Sequence, residues 1–384
     1  MKSYGRTSVS EFLGDFIVYR NLVPFDERLP GLDMVREAAG VAAGTIPRKS
    51  ETAYARVIAY LLQRAQVLWA PGTPLKRLVY VGDTRLNDGG AFANLCGAGD
   101  WPGAAFIGAE RDEAARVEVV EQEGGVLYLA NRWQALGEFE HFCRERGIEI
   151  GAGTAVVVDL DKTALAARGR NDRVIDRARV EAVRRTVGDL LGSGFDGAAF
   201  QAAYDRLNQP EFHHFTADNQ DYLAYVCLIL GSGILTLEPL VDDVRAGRME
   251  GFRHFIAAVD ARAAELPTGL RPIHAGIHAA VQQGDPTPFK AFRYNEYRAT
   301  VARMGNQDDE TPVEQLLAEE IVITQEVRAV ALAWRARGAL VFGLSDKPDE
   351  ASIPPAEMAV QGWKAIHRME THAVGEGNPE SGNR

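Results

Sequence analysis

Five carboxylates and hydroxyls stand where buried strands are expected to end. Val156-Val157-Val158 runs into Asp159, with Asp161 two residues on; Val79-Tyr80-Val81-Gly82 runs into Asp83, followed by Asp88; and Leu340-Val341-Phe342-Gly343-Leu344 runs into Ser345. In open parallel α/β sheets the ligand crevice lies beyond the carboxyl ends of the strands, so polar groups delivered there by neighbouring strands converge. An aspartate so placed can attack phosphorus and form an acyl-phosphate, which splits one hard displacement into two easier ones. A second carboxylate two residues later can protonate the leaving oxygen. Several carboxylates in one crevice repel each other and any phosphate. They make sense around a hard divalent cation, and magnesium prefers oxygen ligands.

The elements that must hold these residues are legible as hydrophobic runs. Strands are expected at Leu78–Val81, Ala104–Gly108, Gly125–Leu129, Ala155–Val158 and Ala339–Leu344, with helices between them at Tyr54–Leu62, Glu110–Glu123 and 133–146. A further helix is expected over Met34–Ala43, and Ser50 suits the N-cap of the helix after Lys49. Strands alternating with helices at this spacing predict a parallel, Rossmann-like α/β sheet covered on both faces. After about residue 170 the signals turn helical, as at Val180–Leu191, Tyr222–Leu230 and Met249–Leu266, until one long amphipathic helix carrying Leu316, Ile323, Val327, Val330 and Trp334. The expected organisation is a core over 1–168, a helical domain over 169–312, a second core segment over 313–374, and a disordered tail over 375–384.

The motifs carry a family resemblance. Asp159-Leu160-Asp161-Lys162-Thr163 resembles the first motif of the haloacid dehalogenase-like hydrolases, Asp-x-Asp-x-Thr or Val after a hydrophobic strand. The strand ending at Ser345 resembles the second motif, Lys49 ahead of a helix the third, and Gly82-Asp83 with Asp88 the fourth. The order departs from the usual one: here it runs third, fourth, first, second, a cyclic rotation, as in a circular permutant cut between the second and third motifs. The resemblance implies a nucleophile and magnesium ligand at Asp159 and a general acid and base at Asp161, with Asp161 and Asp83 also among the metal residues. It implies phosphate contacts from Thr163 and Ser345, a neutralising cation at Lys49, and Asp88 as a further ligand or an orienting group. An acid at Asp161 favours phosphate chemistry over dehalogenation. The helical segment sits where the family carries a cap, which would close over the site and favour a small phosphorylated substrate.

The blander readings stay open beside these. Gly82-Asp83 is also a turn, Ser345 also a helix cap, and Lys49 also a solvated helix-start residue whose place Lys76, Lys347 or Lys364 would then take. Within the helical segment, His213, His214 and Asp218 form the densest polar cluster, and Lys290 and Arg293 the basic-aromatic patch. Neither specifies a substrate. A phosphotransferase or mutase of the same chemistry and a catalytically silent binding protein are the alternatives.

Composition narrows the class. A net charge of −11 argues against a nucleic-acid partner. Three scattered cysteines imply no disulfide framework and fit a reducing cytoplasm; no signal-peptide core is visible in Met1–Asp15, and no apolar run reaches membrane length.

Overall fold

The most β-branched stretch of the chain lies in the interior of its sheet, third of seven strands. Thr154–Asp159 has all six residues buried, as a strand covered by helices on both faces must. In the computed structural model, which describes residues 1–376, ten strands occur: β1 (Lys2–Thr7), β2 (Ile17–Val18), β3 (Arg77–Gly82), β4 (Gly103–Gly108), β5 (Val117–Gln122), β6 (Gly125–Ala130), β7 (Thr154–Asp159), β8 (Ile323–Thr324), β9 (Leu340–Leu344) and β10 (Thr371–Gly375). Seven form a sheet in the order β2-β9-β7-β3-β4-β6-β5, and three form a small sheet in the order β1-β10-β8. Every pairing in the large sheet is parallel except β5 with β6. The protein is therefore α/β with a mostly parallel sheet.

Register decides what the sheet presents. Val81 pairs with Val158 and Asp159 with Leu344, so β3, β7 and β9 end level with one another. Whatever follows those three strands emerges on one edge, with β7 between the other two. The helix Thr52–Trp69 covers this region with Tyr54, Val57, Ile58, Leu61 and Leu62, all in the main apolar core.

Contacts divide the chain into two compact units, residues 1–177 with 300–384, and residues 178–299. The helical unit thus begins later and ends earlier than 169–312. The flanking residues belong to the sheet unit because buried polar groups tie them there. Arg170 pairs with Glu110 and Glu326, Asn171 donates to the carbonyls of Leu317 and Glu320, and Ile321 N–H donates to the Arg303 carbonyl. The unit 178–299 has its own core, including Phe212, Leu223, Tyr225, Phe252 and Phe255, and contains helices without strands.

Several expected elements differ. Residues 117–122 form β5, where a helix over Glu110–Glu123 was expected. Val117-Glu118-Val119-Val120 offers β-branched residues to β6 through a two-residue turn between the paired Gln122 and Gly125, with Gly124 at φ +81°. Glu118 and Glu121 then charge an otherwise open sheet edge. The helix expected over Met34–Ala43 is a single turn, Leu32–Val35, because the Arg36 guanidinium takes the carbonyls of Ala42 and Thr45 into a folded loop. Glu51, not Ser50, is the N-cap of the helix Thr52–Trp69. The long amphipathic helix is two helices, Val313–Glu319 and Gln325–Ala336. The β-branched Ile321-Val322-Ile323-Thr324 between them is drawn into β8 beside β10. Met249–Leu266 is likewise a helix Phe252–Asp260 followed by a short 3-10 turn. Gly375, expected in the tail, closes β10; positions 377–384 lie outside the described residues. Among the described residues no helix is long and apolar enough to cross a membrane.

His367 gives this unit a pH dependence. The ring is fully buried, with the Tyr19 hydroxyl 2.9 Å from Nδ1 and its other nitrogen 3.6 Å from Asp15. Burial lowers its pKa to about 4, against the partial opposition of Asp15. The unfolded chain therefore binds the proton more readily. The neutral ring's contribution is complete above about pH 6.5 and is lost as pH falls towards 4, by about 3 kcal/mol at most. Urea unfolding at pH 7.5 and 5 is expected to show a smaller drop in His367→Asn than in the wild type. Parallel pH profiles would exclude His367 as the source.

Candidate active site

Asp159 is the last residue of β7, and its side chain turns into a buried cluster of charges. Lys49, just ahead of the helix Thr52–Trp69, places Nζ 2.6 Å from Asp159 Oδ1 and 2.6 Å from Asp88 Oδ1. The lysine singled out by its place before a helix is thus the one that bridges the two acids. It is 4% exposed, so the solvated helix-start reading fails. Burial alone would push its pKa down, but the two carboxylates outweigh burial and hold the ammonium charged.

Asp88 lies one turn into the next crossover, at the start of the helix Asn87–Gly99. Its Oδ1 accepts from Lys49 and, at 3.1 Å, from the Tyr80 hydroxyl. Its Oδ2 accepts from the backbone N–H of Asp83 and Thr84 and from the Thr84 hydroxyl, at 2.9–3.0 Å. Burial opposes this charge too, yet Lys49 and the hydrogen bonds bring the pKa below the usual carboxylate value. With both oxygens engaged, Asp88 fits the orienting role better than that of a metal ligand. Gly82 permits its approach, since a Cβ there would lie 2.6 Å from that of Asp88.

Asp83 follows β3 and pairs with Arg168. Burial, then the charges of Asp159 and Asp88, raise its pKa to about 8 despite that arginine. Asp159 is raised to about 7, first by burial and then by Asp88 and Asp161, against the pull of Lys49. Burial is the main reason that both acids sit above their ordinary range, and the neighbouring carboxylates add to it. Ligand oxygens of Asp83, Asp88 and Asp159 lie within 4.8 Å of one another, and with Asp88 engaged by its own partners it is Asp83 and Asp159 that offer hard oxygen donors suited to a small divalent cation.

Asp161 lies outside that three-carboxylate cluster, contrary to its expected place among the metal residues. Leu160 to Leu165 form a tight turn after the strand, in which the Ala164 N–H donates to the Asp159 carbonyl and Lys162 adopts φ +63°. Asp161 stays close enough for its charge to act on Asp159 and Arg168. Thr163 is buried, and its Oγ1 has no hydrogen-bond partner. An orphaned hydroxyl costs stability unless something accepts from it. Ser345 follows β9 and is 1% exposed; its Oγ accepts from the Lys347 N–H at 3.1 Å.

Tyr80, Thr84 and Arg168 escaped the sequence reading. Tyr80 carried one usable signal, a hydroxyl within the apolar run Leu78–Val81. Arg168 carried none, because only the return of the chain past Glu110 brings it to Asp83; Gly169, at φ +78°, allows that passage. The other polar residues singled out in the helical unit lie in contacts among themselves and with their neighbours. Asp221, Arg293 and Glu296 form a buried ion network, and His213 lies 3.7 Å from Asp218 on the surface. Lys290 pairs with Asp285. Comparison of the chain with protein-family models, with curated proteins and with solved structures found no match.

Proposed function

We propose that the protein is a magnesium-dependent phosphohydrolase that cleaves a small phosphomonoester through an aspartyl-phosphate on Asp159. The observation that carries this reading is the meeting of Asp159, Asp83 and Lys49 at the level ends of two adjacent parallel strands, with Ser345 on the third. The resemblance of these segments to the haloacid dehalogenase-like motifs, in cyclically permuted order, supports the same chemistry.

In this mechanism an Asp159 carboxylate oxygen attacks phosphorus while the bond from phosphorus to the leaving oxygen breaks. Asp161 gives that oxygen its proton. Water then attacks the acyl-phosphate, Asp161 takes up a proton, and phosphate departs with regeneration of the Asp159 carboxylate. Lys49 keeps Asp159 oriented and offsets the negative charge that accumulates. The orphaned Thr163 hydroxyl is a donor in search of an oxygen, and Ser345 offers a second hydroxyl for phosphate. Asp159 and Asp83 would hold magnesium, with Asp88 fixing the Asp83 loop; the ion would supply charge neutralisation for the phosphoryl oxygens. The three cysteines are free and buried, in keeping with a reducing cytoplasm as the compartment.

A panel of phosphorylated metabolites assayed for phosphate release tests this. Activity on at least one is expected with magnesium, to vanish after EDTA stripping, and to return when magnesium is restored. Undiminished release by metal-stripped protein would overturn the metal-assisted mechanism. Transfer of the phosphoryl group to a hydroxyl acceptor in place of water would identify a phosphotransferase.

A further inference from the structure

The helical unit holds a second cluster of metal-ligating side chains with no part in the chemistry above. His274 and His278 stand four residues apart on the helix Arg271–Gln282, a spacing that puts both rings on one face. The rings stack, with centroids 5.7 Å apart and planes 10° from parallel. Opposite them, Asp260 closes the helix Phe252–Asp260. Its Oδ1 lies 3.1 Å from His274 Nε2 and 3.2 Å from His278 Nδ1, and the three atoms all lie within 4.8 Å of one another.

The outer side of each ring is also held. The Tyr225 hydroxyl is 2.6 Å from His274 Nδ1, and the Gln282 side-chain amide lies 3.1 Å from His278 Nε2, where metal on Nδ1 requires it to turn its oxygen to the ring N–H. Metal-ligating histidines are typically fixed in this way, one nitrogen turned to the ion and the other held by a polar neighbour. Tyr225 is itself buried against Phe252 and Phe255, so the position of His274 is set by the core of the unit.

We propose that Asp260, His274 and His278 form a binding site for a divalent transition metal of the zinc type. Two imidazole nitrogens and one carboxylate are the donor set of zinc, cobalt or nickel, and not of magnesium. A tetrahedral ion with bonds of about 2.0–2.2 Å requires its ligands to be roughly 3.3–3.6 Å apart. The two carboxylate–imidazole separations meet that with an outward shift of a few tenths of an ångström. Asp260 is exposed, which leaves a fourth position open to water. The same contacts could otherwise be two N–H groups donating to one carboxylate oxygen. In that case nothing displaces the protons, and metal leaves the cluster unchanged.

The test uses the full-length chain carrying Asp83→Asn and Asp159→Asn, so that the acidic centre cannot contribute. Cobalt(II) is titrated and followed by calorimetry and by its visible ligand-field bands, with zinc as competitor. One ion per chain is expected, with the intense bands of four- or five-coordination. Asp260→Asn and His278→Ala should each weaken binding at least about tenfold, and Tyr225→Phe about tenfold. Circular dichroism confirms that the helices persist; Asp260→Asn is nearly isosteric and His278 is partly exposed, so neither should unfold the unit. No cobalt retained, or an isotherm and spectrum unchanged by Asp260→Asn with His278→Ala, overturns the proposal. Neither outcome touches the phosphohydrolase reading, which rests on other residues.

Discussion

Asp159→Asn is expected to lower turnover by roughly 10⁴-fold or more while leaving the protein folded and no less stable. The two halves of that expectation come from one geometry. An amide keeps the shape of the side chain and can still accept from Lys49 Nζ, which stands 2.6 Å away. It has no carboxylate oxygen with which to attack phosphorus, so no covalent intermediate forms. Stability should hold because the charge being removed is disfavoured where it sits: burial first, then Asp88 and Asp161, raise the Asp159 pKa to about 7. Lys49 still has Asp88 as a partner after the change. A mutation that removes catalysis without loosening the fold separates a nucleophile from a structural acid. The kinetic measurement is kcat at saturating substrate with magnesium, and the companion is the midpoint of thermal unfolding. A kcat within tenfold of the wild type would remove Asp159 from the nucleophilic role, and with it the acyl-phosphate. Asp161→Asn should behave differently, slowing breakdown of the intermediate so that phosphate stays covalently attached to denatured protein.

The parts of this site that were legible in the sequence are those that local rules govern. Val156-Val157-Val158 can hardly be anything but a central strand, and the acid after it must emerge at the strand's carboxyl end. The motif spacing around Asp159, Asp83 and Ser345 needed only that their strands be neighbours, and the sheet order makes them so. Lys49 was legible through its place ahead of a helix together with the cyclic order of the motifs. What stayed hidden depends on contacts remote in sequence. Arg168 reaches Asp83 across 85 positions, and Tyr80 matters only because Asp88 folds back beneath Gly82. The Val117–Gln122 strand was misjudged for the same reason. Its glutamates scan as a solvated helix, and only the partner strand β6 makes the β-branched positions decisive. The histidines of the helical unit carried a helical spacing in the sequence, but their third partner lies on another helix.

Lys49→Met is expected to destabilise the protein by about 3–5 kcal/mol at neutral pH, the usual cost of removing one partner from a buried ion pair. The loss should fall mainly on Asp159. Asp88 keeps the Tyr80 hydroxyl, two backbone N–H groups and the Thr84 hydroxyl, whereas Lys49 is the one cation hydrogen-bonded to Asp159 among the contacts described. Deprived of the ammonium, a fully buried carboxyl takes up a proton, and its folded pKa rises further above the unfolded value. The sign of the pH dependence follows. A raised carboxyl pKa means that the folded state holds the proton more tightly, so stability contributed by the protonated form falls as pH rises through that pKa. Lys49→Met should therefore suffer more at pH 8 than at pH 6. In the Asp159→Asn background the same substitution should cost less, because only Asp88, which keeps its hydrogen bonds from Tyr80, Thr84 and the backbone, is then left without the ammonium. Urea unfolding of the four proteins at both pH values closes this cycle. A Lys49→Met penalty that is equal in the two backgrounds would mean that the cost does not run through the Asp159 charge, and that the bridge from Lys49 to Asp159 is not what holds the acidic centre together.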